Sequence, residues 1–216
     1  ARKVAHEIKN PLTPIQLSAE HLLRVYEDKR GDFDLALHES LSYIVGEVEN
    51  LRRIAQEFLE TSKEVVAHRE LFDFAELVRE TVGPYKRLLE QRITFRERFE
   101  GEDFRFTGDR AKLKVALRNL LTNAIESIRG KGEIRVRLSG FADGRLTLEV
   151  EDTGAGIEKD LLSRIFEPYF STKDVGTGLG LPITKKIVED HDGLVEIASE
   201  PGLGTKVTLR FRRAAD

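Results

Sequence analysis

Two amphipathic repeats separated by a short break restrict the first third of the chain to a helical hairpin. In both repeats, on either side of Gly31 and Asp32, apolar residues recur at alternating steps of four and three. The first repeat covers about residues 2–29 and contains Ile8, Leu12, Ile15, Ala19, Leu22 and Tyr26. The second reaches about residue 64 through Leu37, Leu41, Ile44, Val48, Leu51, Ala55 and Phe58. This spacing puts the apolar side chains on one stripe of a helix, and two such helices joined by a short loop form an antiparallel hairpin.

This hairpin cannot bury all of its apolar side chains alone. Leu23, Val45, Ile54 and Leu59 widen the stripes beyond the surface that the two helices share. A second copy of the hairpin would complete a four-helix bundle and cover these side chains. The sequence therefore predicts a homodimer.

A histidine beside a carboxylate lies near the start of the first repeat. His6 and Glu7 are followed by Asn10 and Pro11, and helical spacing places His6 and Asn10 about 40° apart on one face. An imidazole is a nucleophile at neutral pH, and a neighbouring carboxylate can orient it and accept its proton. Because His6 lies about 160° from the apolar seam, we expect it to face solvent. Our hypothesis is that this imidazole accepts a phosphoryl group from ATP bound by the second half of the chain.

Other features of the repeats bear on this hypothesis. Pro11 and Pro14 each remove a backbone donor, so we expect a bend just after His6. Leu17 follows on the face of His6, where it is either an isolated exposed leucine or part of a docking surface for the protein that receives the phosphoryl group. His38 also precedes a glutamate but lacks the Asn–Pro that follows His6, so we do not expect it to be an acceptor. The other histidines, His21, His68 and His191, are interpreted as ordinary surface or partly buried residues.

The pattern changes to mixed α and β after a charged link at residues 63–70. The predicted strands cover residues 70–74, 92–99, 103–107, 133–140, 145–152, 194–199 and 204–212. The predicted helices cover residues 75–90, 110–129 and 180–191, with Asp109 as the N-cap of the second. The chain is thus expected to contain a helical domain at 1–66 and an α/β domain at 67–216.

Two asparagines on a predicted helix form the first of four clusters in the second domain. Asn119 and Asn123 are one helical turn apart, so their amides face one way. Amide oxygens suit hard cations such as Mg²⁺, which keeps several waters and bridges phosphates. An ordinary polar helix face is the alternative.

The second cluster follows a predicted apolar strand and comprises Asp152, Gly154, Gly156 and Ile157. A carboxylate at a strand end can accept a hydrogen bond from an exocyclic amine, and the glycines permit a tight turn and close approach of a ligand. A plain β-turn is the alternative.

The third cluster runs from Ile165 to Lys173 and includes Phe166 and Phe170. It predicts an aromatic hinge followed by a mobile basic loop, although the two phenylalanines could instead belong in part to the core.

Alternating glycines open the last predicted helix and form the fourth cluster, which is Gly176, Thr177, Gly178, Leu179 and Gly180. Proline follows at a favoured early helical position, and the N–H groups of a helix N-terminus form an anion site, here for phosphates. The spacing fits neither the Rossmann nor the P-loop pattern.

Composition excludes several classes of function. A net charge of −3 and a pI near 6.1 give no indication of nucleic-acid binding. The absence of cysteine excludes a disulfide framework and a thiolate metal site. No apolar run approaches the ~18 residues of a membrane span, so no membrane contact is expected and the chain is predicted to be cytoplasmic. Because methionine is absent even at the start, we expect a fragment or processed product, whose full-length form could be anchored in the inner membrane.

The order and spacing of these clusters resemble the sensor histidine kinases of two-component systems over nearly all 216 residues. The segment from His6 to Pro11 is similar to their phospho-acceptor box. Their N, G1, F, G2 and last glycine boxes are similar to Asn119–Ala124, Asp152–Gly156, Ile165–Phe170, Gly176–Gly180 and Gly202–Thr205. The run from Ala5 to Glu20 is most similar to nitrogen-regulation-type sensors.

The resemblance implies an α helical hairpin, forming a four-helix bundle in the dimer, followed by an α/β two-layer sandwich of the histidine kinase, gyrase and Hsp90 type. Residues 1–66 would be the dimerisation and histidine phosphotransfer domain, and residues 67–216 the catalytic ATP-binding domain. The implied cofactors are ATP and Mg²⁺. The implied activity is that of a protein-histidine kinase, whose partner is the receiver domain of a response regulator.

The resemblance also implies roles by position. His6 would be phosphorylated with Glu7 as general base, and Asn10 would orient water for dephosphorylating the partner. Asn123 would hold Mg²⁺ and Asn119 would lie beside the phosphates. The adenine amine would bind Asp152, with Thr205 behind it. The nucleotide contacts would be completed by Gly154, Gly156, Ile157, Phe166, Phe170 and a lid at 171–177 with Lys173, followed by Gly176, Thr177, Gly178, Leu179 and Gly180.

Two departures from related families shape the alternatives. ATP-hydrolysing relatives have a glutamate at the position of Asn119, and an amide cannot activate water as that base does, which favours a kinase over a hydrolytic ATPase of the gyrase–Hsp90 kind. Glu126 and Ser127 occupy positions where many family members have lysine and tyrosine. This departure keeps open a phosphatase-dominant or nucleotide-sensing scaffold with weak kinase activity.

Overall fold

The first unit of the chain is built from two long helices, α1 (Arg2–Asp28) and α2 (Phe33–Ser62), which pack against each other. The computed structural model describes residues 2–28, 33–62, 68–142, 144–171 and 178–212, with the backbone alone at 2–10, 28, 49–50, 52–62 and 142. It separates the chain into the units Ala1–Glu64 and Val65–Asp216. The predicted helical hairpin is confirmed.

Helix α1 continues through both of its prolines, Pro11 and Pro14. The bend expected after His6 stays a prediction, as does the solvent-facing position of the His6 side chain, which lies outside the described side chains. Among the described side chains, Leu17 is 59% exposed, as expected for a residue off the seam. None of the described helices is long and apolar enough to cross a bilayer.

The apolar stripes of α1 and α2 are only partly covered within this unit. Ile15, Leu22, Ile44 and Leu51 are half-buried. The large apolar side chains that remain exposed are Leu12, Leu17, Leu23, Tyr26, Phe33, Leu35, Leu41, Tyr43, Val45 and Val48. A helix pair with this much apolar surface in water needs a further partner to reach the burial typical of a folded core.

The second unit is an α/β sandwich, whose elements follow the predicted order. They are β1 (Glu70–Asp73), α3 (Phe74–Leu88), β2 (Ile93–Glu100), β3 (Arg105–Gly108), α4 (Arg110–Ser127), β4 (Gly132–Ala142), β5 (Arg145–Asp152), α5 (Gly180–Glu189), β6 (Leu194–Glu200) and β7 (Gly204–Arg212). The main sheet has the order β2-β4-β5-β7-β6, in which β2 and β4 are parallel and the other pairs are antiparallel. Strands β1 and β3 form a separate antiparallel pair.

Strand alternation divides the main sheet into a core face and a charged face. On β5, Leu146, Leu148 and Val150 are buried, whereas the residues between them are partly exposed. The buried side chains of the sheet pack with those of α3, α4 and α5 in one hydrophobic cluster. On the opposite face, cross-strand pairs such as Arg137 with Glu149 face water. The sheet therefore has one covered face, as a two-layer sandwich requires.

Two aspartates fix the starts of helices in this unit. Asp73 accepts hydrogen bonds from the N–H groups of Ala75 and Glu76, at 2.7 and 3.2 Å, and so caps α3. Asp109 accepts from the N–H of Lys112 at 3.0 Å and caps α4, as predicted. These caps satisfy backbone donors that a helix start leaves without partners.

His191 is a buried structural residue, so its interpretation as a surface or partly buried side chain is wrong. Its Nε2 accepts a hydrogen bond from the Asp109 N–H at 2.8 Å, and its Nδ1 lies 2.6 Å from the Ile187 carbonyl oxygen. These partners fit a neutral ring with its proton on Nδ1. His191 thereby links the end of α5 to the start of α4.

Candidate functional site

The two asparagines of α4 lie against the first residue of α5. The Asn119 Nδ2 donates to the Gly180 carbonyl oxygen at 3.2 Å. A Cβ added at Gly180 would lie 3.8 Å from the Asn119 side chain and 3.9 Å from the Asn123 Nδ2. Both amides are therefore next to the N-terminus of α5, where the first N–H groups have no partner within the helix. Hydrogen-bond donors of this kind favour an anion.

A buried carboxylate lies near the C-terminal end of α4. The Asp152 Oδ1 accepts hydrogen bonds from the Gly154 N–H and the Ser127 hydroxyl, both at 2.8 Å. Burial raises the pKa of Asp152 above its usual value, while the hydrogen bonds from Gly154, Ser127 and the Thr205 backbone oppose this rise and nearby Glu151 adds to it. A carboxylate held in this way can accept a further hydrogen bond from an amine.

The turn after β5 is joined to the turn between β6 and β7. The Ala155 carbonyl oxygen accepts from the Gly202 N–H at 2.7 Å, and the Ile157 N–H donates to the Ser199 Oγ at 2.8 Å. The Ser199 hydroxyl is also 2.8 Å from the Thr205 hydroxyl. Because Thr205 pairs with Asp152 across β5 and β7, these contacts bring the predicted second cluster and Thr205 to one place.

Close backbone approach explains the glycine at position 204. Gly204 has φ +114°, in the region that favours glycine, and a Cβ there would overlap the Asp152 carbonyl oxygen. The turn can therefore place Thr205 beside Asp152 only when residue 204 has no side chain.

The aromatic segment Ile165–Phe170 is partly buried and packs against Gly178, the middle glycine of the fourth cluster. Ile165 is buried, and Phe166 and Phe170 are half-buried, so the two rings do belong in part to the packed structure. The Tyr169 N–H donates to the Gly178 carbonyl oxygen at 3.0 Å. Gly178 has φ +66°, and a Cβ there would lie 2.6 Å from the Phe170 carbonyl oxygen. Glycine is thus required where the two segments meet.

Two cations lie over the rings of this segment. The Arg164 guanidinium is 4.3 Å from the centroid of Phe170, and the Lys185 ammonium of α5 is 5.4 Å from that of Phe166. Both distances are within the range of cation–π attraction.

The structure therefore brings most of the predicted nucleotide contacts of the α/β unit into one region. Leu179 is buried and directly precedes α5. Three predicted residues, Lys173, Gly176 and Thr177, lie outside the described residues. The side chains of His6, Glu7 and Asn10 are also outside the described set, although α1 includes their backbone.

Residues that the sequence did not assign to the site also belong to it. Ser127 was noted only as a departure from the family pattern, yet it is four residues after Asn123 and one turn further along the same helix. That spacing was the available signal. Glu126, the other departure, is an exposed residue. Ser199 had no local signal, because its partners lie on a neighbouring strand and a distant turn.

The arrangement can hold a ligand that has an amine at one end and an anion at the other. Asn119 and Ser127 are eight residues apart on α4, which corresponds to about 12 Å along the helix axis. This length is suitable for an extended nucleoside triphosphate. Among the described residues, no group of three or more His, Cys, Asp or Glu side chains could hold a metal ion. The Asn123 amide lies next to the anion site through its Nδ2, and an amide also carries one oxygen that can ligate a metal ion.

A mixed sheet covered on one face by helices, with this site along α4, defines an ATPase-type nucleotide-binding unit. Residues 108–215 match the family model described as histidine kinase-, DNA gyrase B-, and HSP90-like ATPase. Residues 1–64 match the His Kinase A (phospho-acceptor) domain. The chain therefore belongs to the histidine kinase family, as its resemblance to sensor kinases implied.

Several curated relatives are sensor kinases. The chain is 33% identical over 207 residues to signal transduction histidine-protein kinase AtoS of Escherichia coli strain K12, covering 95% of this chain and 33% of AtoS. It is 35% identical over 225 residues to nitrogen regulation protein NtrY of Azorhizobium caulinodans, covering 98% of this chain and 28% of NtrY. The chain thus spans about a third of the length of these relatives. The match to NtrY agrees with the nitrogen-regulation-type resemblance.

Solved structures of histidine kinase ThkA have the same architecture. Its catalytic domain matches with a TM-score of 0.62 and 31% identity, covering 68% of this chain and 96% of that domain. ThkA in complex with the response regulator protein TrrA matches with a TM-score of 0.79 and 30% identity, covering 99% of this chain and 60% of that one. The helical region followed by an α/β sandwich is thus confirmed as a histidine kinase architecture.

Proposed function

We propose that this chain is the catalytic core of a two-component sensor kinase, which transfers the γ-phosphoryl group of ATP to His6. The observation that carries the proposal is the position of two amides and a carboxylate along α4. Asn119 and Asn123 of α4 lie at the N-terminus of α5, and Ser127, the last residue of α4, holds Asp152. The α/β unit thus offers one end to phosphates and the other to a purine amine.

Each predicted nucleotide contact has a distinct chemical role in this proposal. Asp152 accepts from the 6-amino group of adenine, and Thr205 supports the same end of the site. The N–H groups at the start of α5 bind the phosphates, with Asn119 beside them. The half-buried rings of Phe166 and Phe170 and the proposed lid with Lys173 cover the nucleotide.

Asn123 is proposed as the protein ligand of Mg²⁺. A Mg²⁺ ion that takes its other ligands from phosphates and water needs few protein oxygens, and the amide of Asn123 lies beside the anion site. When bound, Mg²⁺ would neutralise part of the phosphate charge. Asn119 cannot act as a general base, which favours phosphoryl transfer to His6 over hydrolysis.

The helical unit is proposed to supply the nucleophile. A ring nitrogen of His6 attacks the γ-phosphorus, the bond from phosphorus to the bridging oxygen breaks, and ADP leaves with that oxygen. Glu7 accepts the proton of the ring. Asn10 orients water for a second reaction, the hydrolytic removal of the phosphoryl group from the partner. Residues 1–66 are accordingly the proposed phosphotransfer domain, and residues 67–216 the proposed ATP-binding domain.

A second copy and a response regulator are the proposed partners. The exposed apolar side chains of α1 and α2, including Leu23 and Val45, would be covered in a four-helix bundle of two chains. The phosphoryl group would pass from His6 to an aspartate of a receiver domain, and the structure of ThkA with TrrA is a precedent in a relative. Because ATP and receiver domains are both cytoplasmic, we propose that this part of the protein works there.

Labelling with γ-³²P ATP tests the proposal. We expect acid-labile label on the wild type and no label on His6→Ala. His38→Ala is the matched control, because His38 also precedes a glutamate on an amphipathic helix, and it should label like the wild type. Equal labelling of His6→Ala and the wild type would overturn the proposal. Steady phosphate release that does not need His6 would instead indicate a hydrolytic ATPase.

A further inference from the structure

Ser127 connects the end of α4 to the carboxylate at the end of β5. It is the last residue of α4 and is half-buried. Its Oγ is 2.8 Å from the Asp152 Oδ1 and 2.8 Å from the Ala124 carbonyl oxygen. Both neighbours are acceptors when Asp152 is ionised, but a hydroxyl has only one hydrogen to donate. The direction of the Ser127 hydroxyl is therefore linked to the ionisation of Asp152.

Two arrangements of hydrogen are possible at this contact. If Asp152 is ionised, the Ser127 hydroxyl donates to it. If Asp152 is protonated on that oxygen, the carboxyl group donates to the Ser127 Oγ, and the hydroxyl then donates to the Ala124 carbonyl oxygen. The two arrangements present different chemistry to a nucleobase. An ionised carboxylate accepts from a 6-amino group, whereas in the protonated arrangement the one hydrogen of the carboxyl group is donated to Ser127, which leaves an uncharged carbonyl oxygen as a weaker acceptor. Without the Ser127 hydroxyl, that hydrogen can donate to a 6-oxo group instead.

The turn after β5 is fitted closely around the Ser127 side chain. A Cβ added at Gly154 would overlap the Ser127 Oγ and would lie 2.6 Å from its Cβ. The Gly154 N–H donates to the same Asp152 oxygen that Ser127 contacts. The Ala155 N–H, in turn, donates to the Ser127 carbonyl oxygen at 3.0 Å. Ser127 thus contacts the carboxylate and the turn that positions it.

We infer that Ser127 is a positioning residue that keeps the Asp152 carboxylate ionised and oriented toward the amino group of an adenine nucleotide. This inference rests on the proposed function, because it assumes that the α/β unit binds ATP. It assigns to Ser127 the preference for a 6-amino over a 6-oxo purine and the lower pH limit of nucleotide binding.

Burial and the hydrogen bond from Ser127 change the pKa of Asp152 in opposite directions. Burial is the largest influence on the pKa of Asp152 and raises it, whereas the hydrogen bond from Ser127 lowers it. Removing the hydroxyl therefore leaves the carboxylate easier to protonate. Binding of a 6-amino purine then fails at a higher pH in a Ser127→Ala variant than in the wild type.

Other charged groups near Asp152 belong to neighbouring strands and to α4. Glu151 raises the pKa of Asp152 slightly. On β4 and β7, the charged residues next to the positions that pair with Asp152 are Glu133 and Arg135, which pair with each other, and Lys206, which pairs with Glu149. On α4, the exposed residue Glu126 precedes Ser127. All of them are present in both the wild type and Ser127→Ala, so a difference in pH profile between the two chains reports on the hydroxyl.

Calorimetric titration of the full chain with ADP and with inosine diphosphate tests the inference. The two ligands differ at the 6-position, where the first has an amino group and the second a carbonyl. For Ser127→Ala we expect a loss of ADP affinity of about tenfold at pH 5.5 and about threefold at pH 8, with the ratio of ADP to inosine diphosphate affinity lowered most at acid pH. Ser139→Ala is the matched control, because Ser139 is also half-buried but lies on β4, where it contacts Glu100.

The possible outcomes separate this inference from the proposed function. A wild type that binds ADP, with a Ser127→Ala variant whose pH profile and ligand ratio are unchanged, overturns the role of Ser127 alone. An equal loss at every pH with the same ligand ratio also overturns it, since that result indicates packing. A folded wild type that binds no ADP at any pH overturns the proposed function as well.

Discussion

The helical unit and the α/β unit differ in how far their large apolar side chains are buried. Ten of the fourteen large apolar side chains that are exposed among the described residues belong to α1 and α2. In the α/β unit, by contrast, Phe74, Leu117 and Phe211 are buried within one hydrophobic cluster. The α/β unit satisfies its own core, whereas the helical unit presents apolar surface that another chain could cover. The α/β unit therefore holds the stable core of the chain, and the helical unit holds the surface of the proposed dimer.

A matched pair of leucine-to-alanine substitutions should give the largest change in stability between the two units. Leu117→Ala removes a side chain that is 1% exposed in the α/β core, and should cost about 2–5 kcal/mol at any protein concentration because it leaves a cavity. Leu41 is 47% exposed on α2, so Leu41→Ala should instead lower the melting temperature most at low protein concentration, where the proposed dimer would dissociate. Thermal unfolding at several concentrations measures both. Equal, concentration-independent losses would contradict the comparison.

A glycine pair tests how tightly the α/β unit is built around its site. Gly204→Ala should cost about 2–3 kcal/mol, because residue 204 has φ +114° and a Cβ would overlap the Asp152 backbone. Gly202 has φ +77° with open space around its Cβ position, so Gly202→Ala should cost only about 1 kcal/mol. Denaturant unfolding gives the two free energies, and nucleotide binding should be weakened by the first substitution alone. Similar results for both variants would contradict the close approach.

Substituting Arg92, whose side chain caps the C-terminal end of α4, should have a smaller effect on stability. The Arg92 guanidinium donates to the carbonyl oxygens of Ile125, Ile128 and Gly130, at 2.9, 2.8 and 3.1 Å. Arg92→Ala should cost about 1–2 kcal/mol, because these carbonyl groups have no helical partner. Arg96→Ala is the control: Arg96 makes an exposed ion pair with Glu133, and its loss should cost about 0–1 kcal/mol. A smaller loss for Arg92 than for Arg96 would argue against the cap.

The pH dependence of Asp152→Asn should be the smallest effect. Because burial raises the pKa of Asp152, the folded state binds the proton more tightly than the unfolded state does. Its contribution to stability therefore declines as pH rises above the unfolded value of about 4. Asp152→Asn lacks this contribution, so the variant should gain in melting temperature relative to the wild type between pH 4 and pH 7. A difference that stays constant or reverses with pH would contradict the assigned shift.

Local sequence signals could predict the elements of the fold because those elements depend on short-range patterns. The apolar steps of α1 and α2, the alternation of β5 and the N-cap Asp109 each lie within one segment. The ends of three helices differed, since α3, α4 and α5 end at Leu88, Ser127 and Glu189 rather than near residues 90, 129 and 191. Helix ends depend on the last few hydrogen bonds, which apolar spacing does not determine.

The site could be predicted only as far as its residues form recognisable motifs. The spacing of Asn119 and Asn123 predicted the amide pair because one helix holds both. The contacts of Ser127 with Asp152 and of His191 with Asp109 join residues 25 and 82 positions apart. Such contacts depend on how α4 meets β5 and α5, and no local pattern encodes that arrangement.

In the proposed function, one unit holds ATP while the other supplies the accepting imidazole. Measuring ADP affinity and γ-³²P labelling on the same preparations of wild type, His6→Ala and Asp152→Asn tests this claim most directly. His6→Ala should bind ADP like the wild type but take no label, and Asp152→Asn should lose about 10–100-fold in ADP affinity, and its labelling at low ATP with it. Loss of ADP binding in His6→Ala, or unchanged ADP affinity and labelling in Asp152→Asn, would contradict the account.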